Sequence, residues 1–262
     1  MNYNFTYGRK DPGLIFILCD LSQKMKRVKK TLETTVRAIL EDYINGCICG
    51  CQIKDRIHIT LIGYGNKVPY IIKKGWANEW VDTLIEVKRN GTSIIKECFE
   101  NELECESVWE FTKLLLDNQV ADIASNSYYT GLCSPIIINI TCRKPQDEQL
   151  CRRYINVIKE KCVAGYGYSS AAMSREPIKK VFNTTVLNIL LLDKYNNHDD
   201  VFYPDKNYCS NSKAINFWKE NSSECDCNGE RLRERGIDVG KKPMMFVAVH
   251  NVFTVCFSTI GS

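Results

Sequence analysis

Asp20 and Ser22 follow six consecutive apolar residues, Leu14-Ile15-Phe16-Ile17-Leu18-Cys19. A carboxylate and a hydroxyl placed just past a buried strand can hold a ligand, and they can equally cap the helix that comes next. Beside them lie five basic residues within seven positions, Lys24, Lys26, Arg27, Lys29 and Lys30. Such a run is either the solvated face of a helix or a landing surface for an acidic or phosphorylated protein segment, because cations near a helix amino terminus bind anions together with free N–H donors. Aromatic residues do not interleave with the run and the net charge is only +4, so a nucleic-acid partner is not expected.

Other reactive residues are scattered. Cys47, Cys49 and Cys51 form C-x-C-x-C, and Cys225 and Cys227 form C-x-C, with Cys209 upstream. These spacings are tighter than the usual zinc pattern, so a structural zinc is the lesser reading and plain thiols the greater. Of three histidines, His58 lies in a strand-like run and is expected to pack, His198 lies in a polar loop, and His250 lies with Asn251 between two apolar runs. No serine or cysteine stands at a recognisable local spacing from a histidine and a carboxylate, and neither a phosphate-binding glycine loop nor a dinucleotide fingerprint is present. A non-catalytic protein-recognition or scaffold module is expected, with a hydrolase, whose base would be assembled from residues remote in sequence, as an alternative.

The elements that must position Asp20 follow from periodicity. The run 14–19, bounded by Pro12-Gly13, reads as a central strand of a parallel sheet buried on both faces. Val28, Leu32, Val36, Ile39 and Tyr43 make one stripe of a helix ending near Asn45-Gly46. Residues 56–64 form a second strand, joined through Gly65-Asn66 to an edge strand over 67–72, where Pro69 is tolerated. Residues 76–84 read as a short helix or turn, 89–93 as a loop, and 94–99 and 108–116 as helices. A buried strand over 135–142, a helix over 148–162 with Leu150, Tyr154, Val157 and Ile158 on one side, and a strand over 185–192 follow. Strands alternating with helices imply a doubly wound α/β fold, with a mostly parallel sheet, helices on both faces and one antiparallel edge strand. Beyond it come a polar loop over 194–213, a helix near 213–220, a charged short helix over 231–235, and apolar runs at 244–249 and 252–257.

Length allows one domain over residues 1–262, with a core over about 12–192 and a carboxy-terminal extension over about 193–262 packed on it. An apolar fraction of 44% and a charged fraction of 25% are those of a globular chain. No stretch suits a membrane span or a secretory leader, so a cytoplasmic location with no membrane partner is expected. Disulfides are then disfavoured, and Cys19, Cys133, Cys142 and Cys256, in or beside strands, behave as small apolar residues.

Asp20-x-Ser22 with Met25, then Gly91-Thr92, then Thr141 after a central strand, resemble the three loops of a von Willebrand factor A domain. In that family the loops hold a divalent cation, through Asp-x-Ser-x-Ser, a Thr, and an Asp after the third-loop Thr. The resemblance extends along the later chain to a bacterial cytoplasmic group that accompanies serine/threonine kinases and PP2C-type phosphatases in signalling, stress or conflict systems. It implies a protein-binding module whose partner, a kinase, a phosphatase or an acidic or phosphorylated segment, meets an edge at residues 20–25, 90–93 and 141–143. The edge would comprise Asp20, Ser22, Lys24, Thr92, Thr141, Cys142, Lys26 and Arg27.

Two departures change the chemistry that the resemblance implies. Lys24 replaces the second serine and Cys142 replaces the third-loop aspartate. An ammonium beside the cation position and a soft thiol for a hard carboxylate both weaken a magnesium site. The expectation is no metal, with Lys24 folded back on Asp20 as a fixed protein charge. Two alternatives stay open, a weak magnesium or manganese site on Asp20, Ser22 and Thr92, and a soft metal at Cys142.

Overall fold

The computed structural model describes residues 12–45, 47–48, 51–52, 55–96, 99–126, 128, 135–160, 167–168, 175–176, 184–191, 217–218 and 220–222. Strand β1, Gly13–Asp20, is buried along its whole length. It pairs in parallel with β2, Ile57–Tyr64, on one side and with β4, Ile136–Thr141, on the other. Strand β3, Tyr70–Trp76, runs antiparallel to β2 at one edge, and β5, Thr185–Leu190, runs parallel to β4 beyond it. The five-stranded order is therefore β3-β2-β1-β4-β5.

Successive residues of β1 point to opposite faces, so its unbroken apolar sequence serves two cores at once. Ile15, Ile17 and Cys19 pack with Leu32, Val36 and Ile39 of helix α1, Lys29–Asn45, and with Trp80 at the start of α2, Trp80–Asn90. Leu14, Phe16 and Leu18 pack with Val108, Trp109 and Leu116 of α3, Ser107–Ser125, and with Cys151, Ile155 and Ile158 of α4, Glu148–Glu160. Trp218 and Phe217 cover the same second face. This is the doubly wound sheet expected, with helices on both faces and an antiparallel edge, a von Willebrand A or Rossmann-like architecture.

Several local expectations shift. Strand β3 begins at Tyr70, because residues 65–68 bend and leave Pro69, which lacks a ladder donor, outside the strand. Helix α2 begins at Trp80 after a single 3-10 turn, Ala77–Glu79, and ends where Gly91 adopts φ +60°, a left-handed cap that suits glycine. Residues 94–96 and 99–100 are irregular rather than helical. The Ser93 hydroxyl takes the Ile95 N–H at 3.0 Å, and Ile95 and Phe99 enter the α1 and α2 side of the core as separate anchors. In α4 the buried stripe is Cys151, Ile155 and Ile158, and Val157 faces outward, because Cys151 takes an apolar position of the stripe. Cys47–Ile48 and Cys51–Gln52 form a two-residue antiparallel ladder. Cys49, Cys133, Cys209, Cys225, Cys227, Cys256, His198, His250, the residues at 231–235 and the apolar runs at 244–257 lie outside the described residues, as does most of the proposed extension.

Candidate functional site

Parallel strands end together, so the carboxyl ends of β1 and β4 bring Asp20 and Thr141 to one level; Cys19 lies opposite Ile140 in the register. Asp20 is fully buried. Its Oδ1 accepts the backbone N–H of Ser22 at 3.0 Å, and its Oδ2 accepts the Thr141 hydroxyl at 2.7 Å. A buried carboxylate with only neutral donors is costly, and a cation beside it removes much of that cost.

The cation is Arg143. Its Nε donates to Asp20 Oδ2 at 3.0 Å, and Nη2 lies 3.5 Å from Oδ1, so the guanidinium fork spans both carboxylate oxygens. Arg143 is 6% exposed and its backbone N–H donates to the Thr141 hydroxyl oxygen at 3.2 Å. Burial works against its charge, but the charge of Asp20 and the hydrogen bond to it outweigh burial, so the guanidinium is held protonated even more firmly than usual. The same burial, with Asp20 nearby, raises the Tyr64 phenol well above its ordinary range.

Lys24 does not fold back as expected. Its ammonium lies 2.6 Å from Glu102 Oε1, out over the surface, while Asp20 is engaged by Arg143. The short 3-10 turn Gln23–Val28 explains this: Met25 and Val28 are buried beneath it, which turns Lys24, Lys26 and Arg27 outward. Thr92 is exposed in the turn after α2, and none of the hydrogen bonds that Asp20 accepts comes from it. Cys142 is partly exposed, and its thiol is pushed up to about 12, first by burial and then by Asp20, against the opposing pull of Arg143 and Lys24.

Two further features close the site. Residues 101–104 cross above Asp20: Gln23 N–H donates to Asn101 O at 2.8 Å, Leu103 N–H to Gly65 O at 2.7 Å, and Arg143 Nη2 to Leu103 O at 2.7 Å. Gly65, at φ +85°, approaches so closely that a Cβ there would stand 2.5 Å from Asp20 Oδ1 and 2.8 Å from Arg143 Nη2. The turn between β2 and β3 thus needs glycine both for its backbone and for the ion pair beneath it. Arg143 falls inside the expected edge 141–143 without a role there, Gly65 is expected only as a turn residue, and Glu102 is not singled out by the sequence; the structure brings all three to the site. The signal for Arg143 was present, a basic residue two positions beyond Thr141, just past the end of the strand adjacent to β1; Lys24 was favoured because it shares the loop of Asp20.

The residues present do not suit a divalent cation in this arrangement. Both oxygens of Asp20 are taken, a guanidinium nitrogen stands 3.0 Å away, Thr92 is exposed and not among the donors to Asp20, and burial raises the Cys142 thiol. Among the described residues no group of three His, Cys, Asp or Glu side chains could hold a metal. One oxygen is spare: Ser22 Oγ is buried without a hydrogen-bond partner. The described cysteine thiols do not supply an activated nucleophile, since burial raises Cys19, Cys105, Cys142 and Cys151 alike. No helix among the described residues is long and apolar enough to cross a membrane.

No family model and no curated protein matches the chain. Solved structures do. The pilus adhesin SpaC from Lactobacillus rhamnosus GG, in its open conformation, aligns over 92% of this chain and 30% of its own, at 12% identity and TM-score 0.45. Manganese-loaded TRAP protein of Plasmodium vivax aligns over 84% and 80%, at 12% identity and TM-score 0.38. The SpRpn10 VWA domain aligns over 82% and 84%, at 12% identity and TM-score 0.42. The chain spans about 30% of the SpaC chain, and likenesses this distant concern the fold alone. The cytoplasmic location expected from the sequence is corrected: the matches include a pilus adhesin, so this fold does not assign the chain to the cytoplasm.

Proposed function

We propose that the chain is a non-catalytic protein-recognition module of von Willebrand A type that works without a divalent cation. The observation that carries this reading is the Asp20–Arg143 pair, in which the chain's own guanidinium neutralises the carboxylate at the carboxyl end of the central strand. The partner meets the edge formed by residues 20–25 and 141–143 and is an acidic or phosphorylated protein segment, drawn by Lys24, Lys26 and Arg27, which face outward. Residues 90–93 drop out of that edge. A setting beside kinases and phosphatases rests on the sequence resemblance alone.

Titration calorimetry of metal-stripped protein with magnesium and manganese, paired with melting curves, tests the reading. It predicts neither saturable heat nor a melting shift. A second reading, a weak cation site reached when Arg143 swings out, is favoured by the spare Ser22 Oγ. Saturable binding near one ion per chain would establish it in place of the first.

A further inference from the structure

Lys24 and Arg143 converge on one carboxylate. Glu102 Oε1 lies 2.6 Å from Lys24 Nζ and 4.0 Å from Arg143 Nη1. Glu102 is supplied by the segment that crosses the site, and its side chain is 29% exposed against 59% for Lys24. The backbone around it is tied at three points, through Asn101 O, Leu103 N–H and Leu103 O. Its carboxylate therefore rests at the rim of the site on a fixed backbone, and the side chain alone can leave without unfolding the segment.

The charges explain why it rests there. One guanidinium nitrogen pair of Arg143 is committed to Asp20, and Nη2 also donates to Leu103 O, which leaves Nη1 directed toward Glu102. Lys24 has a solvent-facing ammonium with no claim from Asp20. Two donors of positive charge with room for one carboxylate between them make a carboxylate site, and a guanidinium held rigid by a buried partner is a better half of such a site than a free one. Because this pair is near the surface, the internal ion pair is weak enough to exchange.

We infer that Lys24 and Arg143 form a binding site for a glutamate or aspartate carboxylate of a partner protein, and that Glu102 occupies it in cis until the partner displaces it. This deepens the proposed function by naming the group that is recognised, and it rests on that reading. Exposed Leu103, beside Glu102 on the same segment, then lies against the arriving chain.

The test uses full-length protein, wild type and Glu102→Gln, titrated with N-acetylglutamate α-amide at low salt while the side-chain NMR signals of Arg143 and Lys24 are followed. Glu102→Gln should bind the probe about fivefold or more tightly than wild type, as removal of a competing surface charge of about 1 kcal/mol requires. Adding Lys24→Gln should abolish the gain, and neutral N-acetylglutamine α-amide should leave the signals in place. Equal shifts in wild type and Glu102→Gln, or a gain that survives Lys24→Gln, would overturn the inference. Inorganic phosphate binding Glu102→Gln more tightly than the carboxylate probe would also overturn it, in favour of a phosphorylated segment. Magnesium or manganese binding by wild type sinks the proposed function whatever these titrations give, whereas an unaltered Glu102→Gln sinks only the carboxylate site.

Discussion

Arg143 is the residue on which the site turns, since without it a fully buried Asp20 would keep only neutral donors. Truncating one member of a buried pair leaves an uncompensated charge and typically costs about 3–5 kcal/mol, while removing both charges costs much less. Arg143→Met is therefore expected to lower unfolding stability by about that amount, and Asp20→Asn added to it should recover part of the loss. Urea denaturation of the two single variants and the double variant checks this. A loss for Arg143→Met no larger than that of a surface substitution would mean that the pair does not anchor the site. The residue scale is also where the sequence was least legible. Asp20 stood out because polarity begins abruptly after an apolar strand, and Thr141 because it ends another; which cation answers Asp20 depends on strand order, and strand order brings β4, hence Arg143, beside β1. Local proximity pointed to Lys24, and the buried Met25 and Val28 turn that side chain the other way.

At the scale of elements, periodicity was a good guide wherever an element buries a whole face. The stripe of Val28, at the end of the 3-10 turn, with Leu32, Val36, Ile39 and Tyr43 of α1 is buried at every position. It failed at the described residues 94–96 and 99, where two buried residues four apart imitate a helical turn although a side-chain hydroxyl at Ser93 holds the chain open. His58 shows how an element constrains a single group. It sits on β2 opposite Trp76 of β3, edge to face with ring centroids 5.5 Å apart, and its Nδ1 is buried without a hydrogen-bond partner. Burial lowers its pKa below 6.5, Lys74 lowers it further, and Glu79 opposes them. The folded state thus binds fewer protons than the unfolded one just below pH 6.5, so this histidine's contribution is intact above that pH and is lost as pH falls toward the depressed folded value. Replacing His58 by Phe should flatten the stability profile in that window and leave the profile above it parallel to wild type. Chemical denaturation at closely spaced pH values gives the answer, and an unchanged acid slope would show that His58 titrates alike in both states.

Across the whole molecule, the site is coupled to the far face of the sheet through polar groups that no local pattern signals. Tyr64 donates to Asn139 at 2.8 Å, Asn139 to Asn188 at 3.0 Å, and Asn188 to Ser222 at 3.1 Å, which joins β2, β4 and β5 to Ser222, near Trp218 in the chain. Trp218 Nε1 in turn donates to the backbone carbonyl of Arg143 at 2.7 Å, while its ring packs against Trp109 of α3. The backbone that carries the guanidinium is thereby held from behind, by a residue 75 positions later in the chain. Trp218→Phe keeps most of the buried ring and removes the 2.7 Å donor, leaving the buried Arg143 carbonyl only the long 3.4 Å approach of the Thr141 hydroxyl, which should cost about 1–3 kcal/mol. If the tryptophan acts by holding Arg143 against Asp20, its loss should matter less once the guanidinium has gone. A double-mutant cycle of Trp218→Phe with Arg143→Met is then expected to show a coupling of about 0.5–3 kcal/mol, the range for residues that share one network. Unfolding free energies that simply add would mean that Trp218 contributes to packing alone and that the guanidinium is positioned by Thr141, Leu103 and Asp20 without help from the opposite face.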